Sequence, residues 1–277
     1  MNNAAGQLAA HKQQTASFFA TGDGVRTSYR VDGEPTLPSL VLANSIGTTL
    51  HMWDGQIEKL ERHFRVVRYD FRGHGSSDVP AGAYSDARLG RDVIELMDHL
   101  GIERTHFLGL SLGGYVGQWL AIHAPDRIDR LILSNTSAHL GPAEYWDDAI
   151  RAILTAEDMK QTAENFLRNW FPDGMFKTDL PTIRTFREML LKTSRQGIAG
   201  NWAAVRDSDM RRTIALINAP TLAIAGEFDT ITTRKMGEDI ARSIPGARLK
   251  ILPAVHQPNI ELPAEFLREV LDFLLKT

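Results

Sequence analysis

The sequence contains no cysteine, no long apolar run and no marked excess of charge. Without cysteine the chain has neither a disulfide nor a thiolate nucleophile, and we expect a cytoplasmic protein. A membrane helix needs about 18 consecutive apolar residues, and residues 1–17 lack the basic start and apolar stretch of a secretory signal. The net charge of −3 provides no basic surface for nucleic acid or an anionic membrane. We therefore expect neither as a partner.

Short apolar segments alternate with amphipathic ones along most of the chain. The apolar segments are rich in Val, Ile and Leu, which is typical of strands buried on both faces; they span 38–44, 64–70, 104–110, 129–135, 220–226 and 247–252. Helical spacing of apolar residues marks segments 86–99 and 263–275. This alternation predicts an α/β fold with a mostly parallel central sheet flanked by helices. We place this core at 17–139 and 213–277, after a polar, flexible lead-in over 1–16.

Residues 140–212 interrupt the alternation, because they show helical spacing without a convincing strand. Three of the five tryptophans fall in this region, namely Trp146, Trp170 and Trp202. Packed helices alone explain such residues. They are the more common explanation for any single residue, but a helical cap that forms one wall of a substrate pocket is compatible with them, since pockets are mostly apolar and aromatic. We predict a helical cap over 140–212 and name Trp146 and Trp202 as candidate substrate contacts.

One serine stands among four glycines in FLGLSLGGYVG (107–117). The segment ends an apolar strand and begins a helix, so Ser111 occupies a sharp strand-to-helix turn that forces a strained, positive φ. Such a turn has no room for a Cβ atom at positions 109 and 113, and both positions are glycine, which has none. The G-x-S-x-G pattern in this context predicts that Ser111 is a nucleophile whose hydroxyl stands above the sheet edge.

A serine nucleophile needs a base, and the base must be oriented by a third group. In this architecture the chain order is serine, acid, histidine, and only His123, His139 and His256 follow Ser111. His123 lies within the helix after the turn, and no acid at a strand end separates His139 from Ser111. His256 follows the last predicted strand, in a loop before the terminal helix, and is the predicted base.

The acid is expected on a loop after a strand between these two residues. The segment AIAGEFDTITT ends such a strand and contains both Glu227 and Asp229. Only one of these two carboxylates can orient the imidazole. Asp229 lies further past the strand and is the predicted acid, with Glu227 as the alternative.

These motifs, in this order, resemble the α/β-hydrolase superfamily over residues 20–277. Within the superfamily the chain is similar to the 3-oxoadipate enol-lactonases. NSIGTTLHMWDGQ (44–56) carries that resemblance most specifically, and YDFRGHGSSD (69–78) and REMLLKT (187–193) add to it. The resemblance implies the α/β-hydrolase fold, with a helical cap inserted after the sixth strand, and hydrolysis of 3-oxoadipate enol-lactone in aromatic catabolism.

Three stretches depart from the enol-lactonase pattern. The acid loop reads DTITT where a proline usually follows the aspartate, and His256 is followed by Gln257 and Pro258. Neither change removes a predicted catalytic residue. The cap carries Asn201 and Trp202 where small residues are usual. This last departure changes the expected shape of the pocket and therefore bears on the identity of the substrate.

The same resemblance implies an oxyanion hole after the strand at 38–44. Its donors are expected to be the backbone N–H groups of Ile46 and of Leu112, the residue after the nucleophile. Each such donor contributes on the order of 10²–10³ in rate. Asn44 and Ser45, in the same loop, are further candidate substrate contacts.

The chemistry that these residues predict is acyl transfer to water from a small lactone or ester. Arg206, in a basic stretch near the end of the cap, is a candidate partner for the carboxylate of an enol-lactone. No cluster of His, Asp and Glu has metal-ligand spacing and no glycine loop has phosphate-binding form, so no metal and no cofactor are expected. The sequence leaves the oligomeric state open, a homo-oligomer included.

Two other functions stay open on the sequence. One is a different serine hydrolase of the same fold: a carboxylesterase, a C–C bond hydrolase or a cofactor-free perhydrolase. The other is a ligand-binding receptor with weak turnover, which an intact serine, acid and histidine set disfavours. Asp70, Arg72 and His74 we interpret as structural, since they precede Ser111 and fall outside the expected order.

Overall fold

The structure is a computed structural model that describes residues 16–276. Most of the lead-in predicted over 1–16 therefore lies outside the described residues. None of the helices in the described part has the length and apolar content needed to cross a membrane.

The centre of the fold is an eight-stranded sheet. In chain order its strands are β1 (Ser17–Ala20), β2 (Arg26–Asp32), β3 (Ser39–Ala43), β4 (Arg65–Tyr69), β5 (Thr105–Leu110), β6 (Ile128–Ser134), β7 (Thr221–Gly226) and β8 (Arg248–Leu252). Their order across the sheet is β1-β2-β4-β3-β5-β6-β7-β8. β1, β2 and β4 pair in antiparallel fashion, whereas β3 to β8 pair in parallel. The carboxyl ends of the parallel strands therefore meet at one edge.

Both faces of the parallel strands are buried, which explains their near-continuous apolar sequence. Val41 of β3 and Phe107 of β5 belong to the hydrophobic core on one face of the sheet. Leu40 and Leu42 of β3 belong to the core on the other face, together with Leu108. All five side chains are fully buried. The predicted parallel sheet with covered faces is confirmed.

Helices connect and cover the strands. In residues 16–276 the α-helices are α1 (Asp54–Leu60), α2 (Asp86–His99), α3 (Leu112–His123), α4 (Ala143–Thr155), α5 (Lys160–Trp170), α6 (Met175–Thr178), α7 (Leu180–Lys192), α8 (Arg195–Asp207), α9 (Arg234–Ser243), α10 (Pro258–Glu261) and α11 (Pro263–Leu274). The Ser85 side chain caps α2 by accepting the backbone N–H of Arg88. α2 thus has the bounds that the sequence predicts.

The chain between β6 and β7 forms helices α4 to α8. Their span lies within the predicted range 140–212, so the helical insertion after the sixth strand is confirmed, while the domain limits stay a prediction. Aromatic rings join these helices: Trp146 of α4 lies 6.1 Å from Trp202 of α8, and Trp170 of α5 lies 6.1 Å from Phe186 of α7, centroid to centroid.

The sequence analysis missed β1 and β2. β2 reads RTSYRVD, and most of its residues are only partly buried. β1 is a four-residue edge strand with a single buried side chain. Periodicity detects strands by their apolar residues, so it misses a strand as short as β1 and one as polar as β2.

Candidate active site

Ser111 occupies the turn between β5 and α3 with φ of 57° and ψ of −113°. This strained backbone is held in place: the Ser111 N–H donates to the Ser134 carbonyl at 2.9 Å, and the Ser111 carbonyl accepts the Thr136 hydroxyl at 2.8 Å. The Ser111 side chain makes no capping hydrogen bond to α3. The strained turn has the predicted geometry, and its hydroxyl is not used to cap the helix.

Two glycines permit this turn through close backbone contacts. A Cβ on Gly109 would lie 2.1 Å from the Gly113 carbonyl oxygen, and a Cβ on Gly113 would lie 2.3 Å from the Ala43 carbonyl oxygen. Backbone atoms cannot move aside as a flexible side chain can, so a larger residue would displace β3, β5 or α3. The Gly113 N–H also donates to the Asn44 carbonyl at 3.0 Å. This bond ties the start of α3 to the loop after β3.

Asp229 and His256 form a buried hydrogen-bonded pair. His256 Nδ1 lies 2.7 Å from Asp229 Oδ2, and the two side chains are 3% and 0% exposed. An ionised carboxylate only accepts hydrogen bonds, so Nδ1 carries the ring proton and Nε2 is left to accept another. Glu227 is instead 45% exposed, with its carboxylate 3.7 Å from Arg234. The structure therefore brings Asp229, and not Glu227, to His256.

Further donors hold the Asp229 carboxylate in place. Its Oδ1 accepts the N–H groups of Ile231 and Thr232 at 2.9 and 3.0 Å. Its Oδ2 accepts the Thr232 hydroxyl at 2.7 Å and the Asn135 amide at 3.0 Å. Burial on its own raises the pKa of Asp229, but the charge and hydrogen bond of His256, together with the Asn135 and Thr232 donors, outweigh burial and keep this pKa below its usual value. The acid therefore stays ionised beside His256.

The sequence analysis missed Asn135. This residue directly follows β6 with φ of 44°, and its amide donates both to Asp229 and to the Val255 carbonyl, the latter at 2.9 Å. One side chain thus joins the acid loop to the histidine loop. Its position at the carboxyl end of a parallel strand is the feature of the sequence that could have identified it.

The loop that carries His256 is fixed through its backbone on both sides. The Glu261 carboxylate accepts the N–H of Val255 at 2.9 Å and the N–H of Gln257 at 3.2 Å. The His256 N–H between them donates to the Trp170 carbonyl at 3.2 Å. Burial raises the pKa of Glu261, although these two N–H donors partly offset the effect. Three consecutive backbone donors are therefore satisfied, which leaves the imidazole position well defined.

The two predicted oxyanion donors are uncommitted. Within residues 16–276, neither the Ile46 N–H nor the Leu112 N–H has a hydrogen-bond acceptor. Their side chains are 7% and 2% exposed. A buried N–H without an acceptor costs free energy, and such groups occur where a ligand oxygen is to be bound. The next donor along the loop, the Gly47 N–H, is bonded to His74 Nε2 at 2.8 Å.

Asn44 and Ser45, two predicted substrate contacts, are both fully buried. The Asn44 amide donates to the Tyr69 carbonyl at 2.8 Å, and its side-chain oxygen accepts the Trp53 indole N–H at 2.9 Å. Asn44 therefore fixes the loop, and we assign it no substrate contact. The Ser45 hydroxyl has no partner among the described residues, so its role stays a prediction.

The Arg206 guanidinium is engaged in ion pairs within the cap. Its Nε and Nη2 donate to Asp207 at 2.7 and 2.9 Å, and its Nη1 donates to Asp147 at 2.7 Å. The side chain is 26% exposed. All three guanidinium nitrogens thus serve ion pairs within the cap helices, and we assign Arg206 no substrate contact.

Known proteins show the same fold and similar sequences. Residues 38–263 match the model of the alpha/beta hydrolase fold family. The chain belongs to this family. It is 36% identical over 246 residues to 3-oxoadipate enol-lactonase 2 of Acinetobacter baylyi, which covers 89% of this chain and 92% of that protein. The resemblance that the motifs predict is confirmed.

Two crystal structures are closely similar to this hydrolase. A hydrolase from Pseudomonas aeruginosa PA01 superposes with a TM-score of 0.93 at 58% identity, covering 95% of this chain and 99% of that one. An enol-lactonase from Burkholderia xenovorans LB400 superposes with a TM-score of 0.91 at 38% identity, covering 94% and 100%. These likenesses extend over the helical insertion as well as the sheet.

A row of aromatic rings runs through the cap helices of this hydrolase and ends at Trp170, whose backbone carbonyl accepts the His256 N–H. The Trp202 ring lies 6.1 Å from Trp146 and stacks on Phe166 at 6.0 Å, and Phe166 lies 5.0 Å from Trp170. The Trp170 ring also approaches the oxyanion loop, since a Cβ on Gly47 would lie 3.4 Å from its Cη2. Sequence reasoning named Trp146 and Trp202 as substrate contacts but did not single out Trp170.

The site offers no arrangement suited to a metal ion. Among the residues that the structure describes, no group of three or more His, Asp and Glu side chains is placed to hold one. The expectation that the reaction needs no cofactor stays a prediction. The chemistry available to these side chains is nucleophilic attack by a hydroxyl, proton transfer by a neutral imidazole and stabilisation of an oxyanion by main-chain donors.

Proposed function

We propose that this α/β hydrolase opens small lactones or esters through an acyl-enzyme on Ser111. One observation carries the proposal: the buried Asp229–His256 pair, with a 2.7 Å bond to Nδ1, leaves Nε2 as the acceptor at the sheet edge where the strained Ser111 turn lies. A serine hydroxyl is a weak nucleophile until such a base accepts its proton.

In the acylation step, Ser111 Oγ attacks the carbonyl carbon while His256 Nε2 takes the hydroxyl proton. Asp229 stabilises the imidazolium that forms. The carbonyl oxygen becomes an oxyanion, and the N–H groups of Ile46 and Leu112 donate to it. The imidazolium then protonates the departing oxygen, which breaks the ester or lactone C–O bond and leaves an acyl group on Ser111.

Deacylation repeats these steps with water as the nucleophile. Water gives a proton to His256 Nε2 as it adds to the acyl carbonyl, and the same two N–H groups stabilise the second oxyanion. His256 returns its proton to Ser111 Oγ as the acid product leaves. An enol is a better leaving group than a simple alcohol, so an enol-lactone acylates the enzyme readily.

3-Oxoadipate enol-lactone is the first candidate substrate. Two relatives named as enol-lactonases, at 36% and 38% identity, support it. So does the NSIGTTLHMW segment, which continues from the oxyanion loop into the helical turn Leu50–Trp53. That lactone carries a carboxylate, which needs a partner when it is buried.

A neutral ester is the second candidate substrate, and the environment of Arg206 favours it. All three nitrogens of that guanidinium are engaged by Asp147 and Asp207. The aromatic row described above supplies apolar surface and no charge, and its Trp170 ring approaches the oxyanion loop at Gly47. Such surroundings suit an uncharged acyl group better than a carboxylate chain.

Kinetic comparison of the two substrate classes tests the proposal. We expect kcat/KM for 3-oxoadipate enol-lactone to exceed that for p-nitrophenyl acetate and for an uncharged lactone of similar size by at least about tenfold, or about 1.4 kcal/mol. Equal kcat/KM values for the two substrate classes would still be consistent with a serine hydrolase but would favour a neutral ester as its substrate. A fluorophosphonate probe that fails to label Ser111 in folded protein would instead favour the receptor.

A further inference from the structure

His74 lies next to the oxyanion loop but outside the three residues that the mechanism uses. Its Nε2 accepts the Gly47 N–H at 2.8 Å, and the imidazole is 1% exposed. Gly47 directly follows Ile46, one of the two proposed oxyanion donors. A shift of the Gly47 peptide therefore moves the Ile46 peptide as well, because the two share a Cα.

The bond to Gly47 requires one particular protonation state of His74. A backbone N–H can only donate, so Nε2 must be unprotonated and the ring proton must be on Nδ1. Nδ1 faces the Arg72 carbonyl at 3.4 Å. An imidazolium would present a second N–H to the Gly47 donor, and the bond would be lost.

The surroundings of His74 keep it neutral. The groups that face the ring are the Gly47 N–H, the Arg72 carbonyl, the Asn201 amide and the Phe71 ring, whose centroid lies 6.4 Å away. Burial lowers the pKa of His74 to about 4, and the hydrogen bond to the Arg72 carbonyl opposes this only in part.

The charged group of Arg72 is directed elsewhere. Its guanidinium donates to Asp92 at 2.7 Å and to Asp23 at 3.0 Å. The positive charge of Arg72 is therefore paired with two carboxylates, and only the backbone carbonyl of Arg72 contacts the His74 ring.

Asn201 of α8 connects this arrangement to the cap helices. Its amide donates to the Arg72 carbonyl at 3.1 Å and to the Gly197 carbonyl at 2.9 Å, and the residue is fully buried. The backbones meet there too, since a Cβ on Gly73 would lie 2.4 Å from the Gly197 Cα. Asn201 thus bonds the same carbonyl that receives the His74 ring proton.

We propose that His74 is a positioning residue of the oxyanion hole: it holds the Ile46 N–H in place through Gly47, and Asn201, from the cap, holds the Arg72 carbonyl that receives the His74 ring proton. The inference rests on the proposed function, because it assumes that the Ile46 N–H stabilises an oxyanion. It assigns a role to Asn201, which departs from the enol-lactonase pattern, and it couples the helical insertion to the chemistry at Ser111.

The test compares variants that keep or remove the acceptor at position 74. His74→Gln retains a side-chain oxygen that can accept from Gly47, whereas His74→Ala has none. His106 supplies the matched control, because it is another buried histidine, 7% exposed, on β5 and without a bond to the oxyanion loop. The readouts are kcat and KM for p-nitrophenyl acetate and the inhibition constant of a trifluoromethyl ketone, which mimics the oxyanion.

We expect His74→Ala to lower kcat by roughly 10–100-fold, less than the full loss of an oxyanion donor, with KM changed by less than about threefold. The inhibition constant of the ketone should rise by the same factor as kcat falls. His74→Gln should recover most of the loss, and His106→Ala and His106→Gln should leave all three quantities unchanged.

Asn201→Ala decides the question if His74→Ala does not fold. It leaves His74 in place but removes the two hydrogen bonds that the Asn201 amide donates to the Arg72 and Gly197 carbonyls, and we expect kcat to fall about three- to tenfold at unchanged KM. The inference is overturned if folded His74→Ala and His74→Gln have equal kcat, or if Asn201→Ala has wild-type kcat. Either outcome overturns the role of His74 but not the proposed function, as long as a fluorophosphonate labels Ser111 in the wild type. If the wild type is not labelled, the proposed function and the role of His74 are both overturned.

Discussion

The Trp170 carbonyl accepts the backbone N–H of His256 at 3.2 Å. Trp170 is the last residue of α5, within the helical insertion, and His256 follows β8 at the carboxyl edge of the sheet. The insertion is therefore bonded directly to the residue proposed as the general base. The Glu261 carboxylate accepts the N–H groups of Val255 and Gln257, the residues on either side of His256. Together with the Trp170 bond, these contacts fix the loop and therefore the position of the imidazole.

Glu261→Gln tests whether this loop positions the base. Glu261 Oε1 accepts the N–H groups of Val255 and Gln257 at 3.1 and 3.2 Å, and Oε2 accepts that of Val255 at 2.9 Å. A glutamine can accept only through its oxygen, so in either orientation its amide nitrogen would face the Val255 N–H. An unsatisfied buried N–H costs about 1–3 kcal/mol, and we expect kcat for p-nitrophenyl acetate to fall by roughly tenfold while KM stays constant. Steady-state kinetics with circular dichroism on the same samples measures this.

Glu269→Gln is the control for this variant. Glu269 lies on α11, is 16% exposed and pairs with Lys250 at 2.9 Å, away from the His256 loop. We expect it to lower stability without changing kcat. Equal kcat in the two variants would show that Glu261 acts on folding alone.

Asp229→Asn is expected to lower kcat by on the order of 10³–10⁴, because the amide no longer fixes the Nδ1–H tautomer or stabilises the imidazolium. Glu227→Gln should change kcat little, since Glu227 faces Arg234 and solvent. Both variants remove one negative charge from the same loop, so their difference isolates the contact with His256. The reverse ranking would transfer the acid role to Glu227.

His74 should make stability depend on pH in a way that His74→Gln does not. Its pKa falls from 6.5 in the unfolded chain to about 4 in the fold. Between these values the unfolded chain binds more protons, so its contribution to stability is present above about pH 6.5 and is lost as the pH falls toward 4. Urea unfolding should show the wild type losing about 2 kcal/mol more than His74→Gln between pH 7 and pH 5. Parallel losses would mean that His74 titrates normally.

Trp202→Ala should raise KM for the best substrate by roughly tenfold, about 1.4 kcal/mol, and change kcat by less than about threefold. The reason is that the half-buried ring, placed in the aromatic row, is proposed to contact substrate and transition state alike. Trp119→Ala is the control, because Trp119 stacks on His123 near the other end of α3 from Ser111. A fall in kcat at constant KM would place Trp202 in the chemistry and not in the pocket wall.

Local sequence was enough to predict the turn, the parallel part of the sheet and the helical insertion. Ser111 could be found because its strained turn demands Gly109 and Gly113, and that requirement is visible within seven residues. His256 and Asp229 could be named because both follow strands whose carboxyl ends meet at one edge. In each case the structural requirement is visible in the sequence next to the residue.

The remaining contacts could not be predicted, because they join segments far apart in the chain. Asn135 and Asp229 are 94 residues apart, and Asn201 and His74 are 127 apart. Nothing in the sequence next to Asn201 indicates that its partner is the Arg72 carbonyl. The ion pairs of Arg206 could not be predicted for the same reason, since Asp147, which accepts from its Nη1, lies 59 residues away.

The acyl-enzyme on Ser111 is the central claim, and mass spectrometry of the acid-quenched reaction with p-nitrophenyl acetate tests it most directly. The account predicts one acetyl group on the wild type, mapped to the peptide containing Ser111, and none on Ser111→Ala. That variant should fold normally and lose roughly 10⁴–10⁶ in kcat. An acetyl group on another residue, or a Ser111→Ala variant that keeps a tenth of the activity, would contradict the account.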